Sequence, residues 1–355
     1  MVKVDALVVP LNKGQTAISI ARSLRLVNHT LRTSSSEENL YIPLLRQIDE
    51  SESKRLSAIL GPPKIEEREF NERPRVPRTL AEALQNRLPP HLLANVPKAF
   101  DILGHIAIVE VPDELVPFDK TIGRAVLETC PNVRTVMAKS GFFSSDYRVR
   151  ALRLIGGEDQ SVTHYRENGC VFELDVKAVF FSPRLSHERL RVASQVQPGE
   201  AVVDMFAGVG PYSILIAKRQ PRSTVCAIDA NPSAFRFLVT NILANRVVAR
   251  VRPILGDAQE VVRSGLSGKA DRVIMNLPGS AADFVGVACE SLAERGGVIH
   301  FYSFESGQDP QEAGSRRLKE RVQASGRSVD SILATRIVKE VAPRRFQVAV
   351  DARIS

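Results

Sequence analysis

From about residue 171 onward, short apolar runs alternate with stretches of helical spacing. The runs fall near 201–206, 224–229, 250–255, 272–277 and 297–303. Strands that alternate with helices predict a parallel sheet covered on both faces. The segment 171–183, VFELDVKAVFFSP, leads into a predicted helix at 186–195, and TRIVKEVAPRRFQVAVDARI reads as two strands joined by a turn at Pro343. That order predicts an α/β doubly wound sheet, mostly parallel and seven-stranded, closed by a terminal hairpin.

Two smaller α/β units precede it. In residues 1–60, DALVVPL and LYIPLL read as strands, and Ile18, Ala21 and Leu24 form one stripe of a helix between Gly14 and Val27. The stretch SSSEEN at 34–39 reads as a polar loop, and GPPKIEEREFNE at 61–72 as a Pro-rich, charged linker. Residues 73–170 form a middle unit. Thr79 is a candidate helix cap, FDILGHIAIVEV at 100–111 a strand, and a helix is expected around 118–129. Further strands are expected near 133–138, 147–154 and 161–167. Residues 171–355 are the third domain.

Candidate chemistry sits at the ends of the strands in that third domain. VVDMFAGVGPYSILIAK at 202–218 is a strand ending in Asp204, a turn holding Gly208 and Gly210, and a helix. Glycines let backbone turn sharply and approach a ligand. AIDANP ends a second strand in Asp229, about 20 residues after the turn, where an acid can accept both hydroxyls of a ribose. RVIMNLPGSAADF ends a later strand in Asn276-Leu277-Pro278. Dinucleotide enzymes share the first two features. Asp204 suits a ligand with a cationic amine better than an anionic pyrophosphate, although it can also serve to cap the glycine turn. The combination D-x-F-x-G-x-G, then an acid, then N-L-P resembles class I S-adenosylmethionine-dependent methyltransferases.

Composition narrows the partners. A net charge of +8 and a pI near 9.5 favour a polyanion. Cys130, Cys170, Cys226 and Cys289 are far apart and read as reduced thiols rather than a zinc or disulfide framework. The histidines form no metal-binding pattern, and His105, His164, His187 and His300 read as structural or surface residues. No run of about 18 apolar residues occurs, and Asp5 and Pro10 break the first apolar run. A cytoplasmic protein with no membrane span and no metal is expected.

Two further stretches, YRVRALRLIGGED at 147–159 and FFSPRLSHERLRV at 180–192, sharpen the match. With VVDMFAGVGPYS and NLP, the chain resembles the archaeal and eukaryotic tRNA (guanine-N1)-methyltransferases that act at position 37, beside the anticodon. The resemblance covers nearly the whole chain and is strongest over 140–304. It implies an open Rossmann-like catalytic domain, S-adenosylmethionine as cofactor and tRNA as partner; a monomer is expected, although nothing in the residues fixes the oligomeric state. It further implies that Glu188 is the general base, that Arg148 and Asn276 hold the target guanine, and that Pro278 stiffens the loop. Asp229 would bind ribose and Asp257 would lie by the adenine. Arg184 and Phe206 would line the cofactor pocket, and residues 1–60 would bind tRNA with help from the middle domain. Phe180 stands where relatives can carry Tyr. The chemistry needs such groups, because N1 of guanine carries a proton that a carboxylate must remove, while charge develops on O6 and needs donors.

Other readings stay open on the residues alone. Glu188 among Arg184, Arg189 and Arg191 also reads as a surface ion pair, Arg148 as a phosphate contact, and Asn276 as a strand-end cap. The run RSLRLVNHTLR at 22–32 can face tRNA or solvent. A relative in the wyosine route, transferring an aminocarboxypropyl group or also methylating a tricyclic guanine, shares most features. The proline of NLP favours methyl transfer. An NAD-dependent dehydrogenase would share the glycine turn and Asp229 but not NLP, and a non-catalytic RNA-binding protein has no need of Glu188, Arg148 and Asn276 together.

Overall fold

The computed structural model describes residues 1–73, 77–143 and 149–355. They form two compact units, Met1–Pro77 and Arg78–Ser355.

The first unit is a four-stranded antiparallel sheet with two helices. Its elements are β1 (Val2–Pro10), α1 (Gly14–Ser23), β2 (Ser34–Ser35), β3 (Asn39–Pro43), α2 (Glu50–Leu60) and β4 (Lys64–Phe70), with strand order β2-β3-β1-β4. Leu7, Val9 and Ile42 on one sheet face pack with Ala17, Ala21 and Leu56 from the helices. Asp49 starts α2 through a capping box with Glu52. The expected linker at 61–72 is corrected here: Lys64–Phe70 pairs along β1 from Val8 to Val2. Its charges misled because an edge strand keeps much of its surface in water, so Glu66, Glu67, Arg68 and Glu69 need no burial. The first unit therefore extends well past residue 60, and the loop expected at 34–39 begins with β2.

The second unit opens with α3 (Leu80–Leu84), whose cap Thr79 accepts the Glu82 amide at 3.1 Å. A four-stranded sheet follows, β5 (Asp101–Leu103), β6 (Ile106–Val109), α4 (Asp119–Thr129), β7 (Thr135–Phe143) and β8 (Arg150–Gly157), in order β5-β6-β7-β8. The single strand expected at 100–111 is a hairpin, turned at Gly104 (φ 56°). A Cβ there would lie 2.3 Å from the Thr163 hydroxyl, so this approach of chains needs glycine. A second hairpin, β9 (Val162–Glu167) and β10 (Cys170–Asp175), crosses the boundary expected at 170. Leu103, Ile106 and Met137 share one buried cluster with Phe172, Leu174 and Tyr302, so residues before and after 170 are built on a common core.

The rest is the predicted doubly wound sheet. In chain order it runs α5 (Ser186–Gln195), β11 (Ala201–Asp204), α6 (Pro211–Arg219), β12 (Thr224–Asp229), α7 (Pro232–Ala244), β13 (Val251–Leu255) and α8 (Ala258–Gly265). It continues with β14 (Arg272–Met275), α9 (Val285–Ser291), β15 (Gly297–Ser306), α10 (Pro310–Ala324), β16 (Val329–Ala342) and β17 (Arg345–Ile354). The strand order is β13-β12-β11-β14-β15-β17-β16. The first five are parallel, while β17 inserts antiparallel between β15 and β16. One face carries Tyr302 and Ala349 into the cluster with Tyr212 and Val192. The other carries Phe301, Val348 and Val350 into a cluster with α9 and α10. Among the described residues, no helix is long and apolar enough to cross a membrane.

Candidate active site

Strand order reverses at β11, whose neighbours β12 and β14 lead to opposite edges. At such a point the crossover helices diverge and leave a crevice beyond the carboxyl ends of the strands. Four predicted features converge on that edge. The glycine turn follows β11, Asp229 ends β12, Asp257 follows β13 and Asn276 follows β14.

The turn is built for close approach. Gly208 (φ 56°) and Gly210 (φ 91°) take left-handed backbone. A Cβ on Gly210 would come within 2.6 Å of Leu238, whereas one on Gly208 would meet only the Phe180 carbonyl at 4.0 Å. Space thus opens at Gly208, beside a half-exposed Phe180. Asp229 holds the turn: Oδ2 accepts the Gly208 amide at 2.7 Å and Oδ1 the Asn231 amide at 2.9 Å. Burial raises its carboxyl above the usual range against those two bonds. Each oxygen keeps a lone pair for a ligand hydroxyl. Asp257 caps α8 through Oδ1, accepting from Gln259 and Glu260. Phe206 packs edge-on against Phe284 with ring centroids 5.0 Å apart.

Asp204 is wholly enclosed. Its Oδ2 accepts the Ser213 hydroxyl at 2.7 Å, while Oδ1 has no hydrogen-bond partner among the described residues. Burial, offset in part by Ser213 and aided by nearby Asp229, pushes its carboxyl up to about 7. It therefore ties the first turn of α6 to the end of β11, and also keeps one unsatisfied acceptor. Arg184 donates through Nε to Asp101 in β5 at 2.7 Å, with its side chain half exposed.

Glu188 is 2% exposed, which corrects the surface ion pair that its arginine-rich neighbourhood also suggested. Its Oε1 accepts the Tyr302 hydroxyl at 2.6 Å and Arg191 Nη2 at 2.7 Å, and its Oε2 accepts Arg191 Nε at 3.0 Å. A carboxylate offers about four acceptor positions, so one remains, on Oε2. Arg336 Nη1 from β16 lies 3.5 Å from that oxygen. Arg189 turns away from Glu188 and pairs with buried Glu167 at 2.8 Å, over the ring of Phe181.

Sequence reasoning missed the groups behind Glu188. Tyr212 donates to Tyr302 at 3.2 Å. Arg191 also binds Asp351, which in turn accepts from His300 Nδ1 at 2.7 Å. Arg272 Nη1 lies 2.7 Å from His300 Nε2. Since arginine only donates, Nε2 is the acceptor and Nδ1 carries the proton. Burial, outweighing the pull of Asp351, lowers the imidazole below its ordinary value, which keeps it neutral. Asn276 Oδ1 accepts from Gln347 Nε2 at 3.3 Å, and the Pro278 carbonyl accepts the Phe304 amide at 3.1 Å. Tyr302 pairs with Ala349 and Phe304 with Gln347. The supports of Glu188 and of Asn276 are thus two positions apart on one sheet face, about 7 Å along the strand. Arg148 lies outside the described residues.

Comparison with known proteins matches three stretches of the chain. Residues 163–330 match the TRM5/TYW2 methyltransferase domain, 80–160 the TYW2 N-terminal domain, and 6–52 the tRNA methyltransferase 5 N-terminal domain. A Pyrococcus abyssi protein, tRNA (guanine(37)-N(1))-methyltransferase Trm5b, is 38% identical over 99% of both chains. Its crystal structure superposes with a TM-score of 0.70. The complex of aTrm5 with tRNALeu gives 0.74 at 29% identity over 99% of both chains. Methanocaldococcus jannaschii Trm5 in complex with adenosine gives 0.64 at 29% identity, again over 99% of both.

Proposed function

The chain belongs to the tRNA (guanine(37)-N(1))-methyltransferase family, and from that premise we propose how its residues divide the work of moving a methyl group to N1 of guanine 37 in tRNA. The cofactor is S-adenosylmethionine. The strand-end edge fits it: Asp229 keeps free lone pairs for ribose, Asp257 keeps Oδ2 for the adenine amine, and the orphaned Oδ1 of Asp204 suits the ammonium. Phe206, Phe180 and the open side of Gly208 complete an apolar and backbone surface around that ligand. When bound, S-adenosylmethionine supplies an electrophilic methyl on a sulfonium whose leaving group is a neutral thioether.

The remaining work falls to side chains. Glu188 accepts the N1 proton at the open position of Oε2 while Tyr302 and Arg191 fix the rest of the carboxylate. Asn276, its oxygen engaged by Gln347, turns its NH₂ toward O6 where charge develops. Arg148 is proposed to share that task, on the resemblance of YRVR alone. Pro278 holds the loop through its carbonyl, and rate then depends on alignment of N1 with the methyl carbon.

The observation that carries this reading is the buried Glu188 held by Tyr302, two positions along one sheet face from Gln347, which holds Asn276. We assign tRNA shape recognition to the first unit. Monomeric, cytoplasmic action completes the proposal. The test is incubation with methyl-labelled S-adenosylmethionine and unmodified tRNA, followed by mass spectrometry of the nucleosides. N1-methylguanosine at position 37 is expected. An aminocarboxypropyl adduct, or no methylation of unmodified tRNA beside labelling of tRNA that already carries a tricyclic guanine, would overturn it in favour of the wyosine-route reading.

A further inference from the structure

Arg191 serves two carboxylates at once. It gives Nε and Nη2 to Glu188 and Nη1 and Nη2 to Asp351. Asp351 is 1% exposed and also accepts from Gln195 Nε2 at 3.2 Å and His300 Nδ1 at 2.7 Å. It reaches neither Oε2 nor the strand-end crevice directly.

The charges around this group come from every element packed on it. Helix α5 supplies Glu188 and Arg191, β17 supplies Asp351, and β15 supplies neutral His300 and the hydroxyl of Tyr302. Helix α6 adds the hydroxyl of Tyr212. Strand β14 adds Arg272, but Glu200 neutralises it through bonds of 2.6 and 2.9 Å. Arg336 of β16 pairs with Glu188 Oε2 at 3.5 Å through Nη1, with its side chain 43% exposed and its Nε enclosed. Glu188 and Asp351 thus hold Arg191 between them, both almost wholly out of water.

A guanidinium gripped from two sides has one orientation, and a carboxylate bonded to its fork is oriented with it. We propose that Asp351 is a positioning residue for the reaction: it divides Arg191 with Glu188, which aims Oε2 at the substrate. This rests on the reading of Glu188 as the base. Asp351 takes no proton itself, as the aspartate behind a catalytic histidine takes none.

The test uses full-length enzyme, saturating S-adenosylmethionine and single-turnover methyl transfer to tRNA. Asp351→Asn keeps the shape and the acceptor for His300 but removes the charge that grips Arg191. It should slow transfer on the order of tenfold, within what a displacement of less than about 1 Å costs a catalytic group, with cofactor affinity unchanged. In a Glu188→Gln background it should cost nothing more, and Asp351→Glu should restore most of the rate. A native rate in Asp351→Asn, or a loss that adds to that of Glu188→Gln, would overturn the proposal. If Asp351→Asn folds poorly, Arg191→Lys answers the same question, since additivity with Glu188→Gln again overturns it. Failure of the base reading looks different: Glu188→Gln alone would then transfer methyl at a near-native rate.

Discussion

Gln347 donates its side-chain N–H to Asn276 Oδ1 across 3.3 Å, from β17 to the loop after β14. The bond fixes which end of the Asn276 amide faces inward and leaves its NH₂ without a protein partner among the described residues. Replacing Gln347 by Glu should reverse that. The new carboxylate accepts, Asn276 turns its NH₂ inward, and its oxygen then faces O6. Single-turnover transfer by Gln347→Glu should fall about 10²-fold, the size of a lost oxyanion donor, and by Gln347→Ala much less. Equal losses in the two variants would mean that amide orientation is irrelevant.

Glu188→Gln should slow transfer by roughly 10²-fold or more, as loss of a general base does. Calorimetry should find its affinity for S-adenosylmethionine unchanged, because among the described residues the polar partners of Glu188 are Arg191, Tyr302 and Arg336, none of them on the strand-end edge.

Asp204 should make cofactor binding depend on pH. With its carboxyl raised to about 7, it is half protonated near neutrality, and only the anion attracts an ammonium. Affinity for S-adenosylmethionine should rise from pH 6 to 8, and Asp204→Asn should flatten the rise. NAD should not bind. A pH-independent affinity in the native enzyme would reduce Asp204 to a cap of the turn.

His300 should make the fold sensitive to acid. Its pKa is lowered in the folded state, so below the unfolded value of about 6.5 the unfolded chain takes up a proton that the folded chain refuses. The contribution is complete above that pH and is lost as pH falls toward the folded value. Asp351, its carboxyl lowered by His300 and Arg191 despite burial, adds a loss of the same sign at more acid pH. His300→Gln keeps a donor for Asp351 without titrating. In thermal unfolding it should lie below the native protein at pH 7.5, with a gap that narrows by pH 5.

Removal of residues 1–77 should leave S-adenosylmethionine binding intact and weaken the preference for whole tRNA over an anticodon stem-loop. A tethered second contact adds effective concentration and geometric selection. Rates on both substrates must be compared at one salt concentration, since phosphate contacts are strongly salt-dependent. An unchanged ratio would remove the first unit from shape recognition. The cut falls after Pro77 because β4 is part of the unit's sheet.

What the sequence revealed and what it hid follow one rule: local signals were readable and long-range ones were not. Gly208, Gly210, Asp229 and Asn276 announce themselves because each interrupts an apolar strand at its end. Thr79 is readable as a cap for the same local reason. The strand Lys64–Phe70 was not, since an edge strand needs few apolar residues. Tyr302, Gln347 and Asp351 were missed because each looks like an ordinary strand residue. Their roles arise only from the register that sets Tyr302 against Ala349 and His300 against Asp351. Glu188 lay between readings until its burial was known, for nothing in SHERLRV says that α5 presses this carboxylate onto the sheet.

The insertion of β17 between β15 and β16 sets an order of assembly. Arg191 and Asp351 are 160 residues apart in sequence, and β17 is synthesised after every other strand of the sheet. Until it docks, β15 has an open edge, Arg191 faces Glu188 alone, and Asn276 lacks Gln347. Contacts of such separation form late, after the entropy of closing a long loop has been met. A chain whose β17 has not yet docked therefore lacks both Asp351 and Gln347, the two groups proposed to position Glu188 and Asn276, so its last strand completes the proposed site.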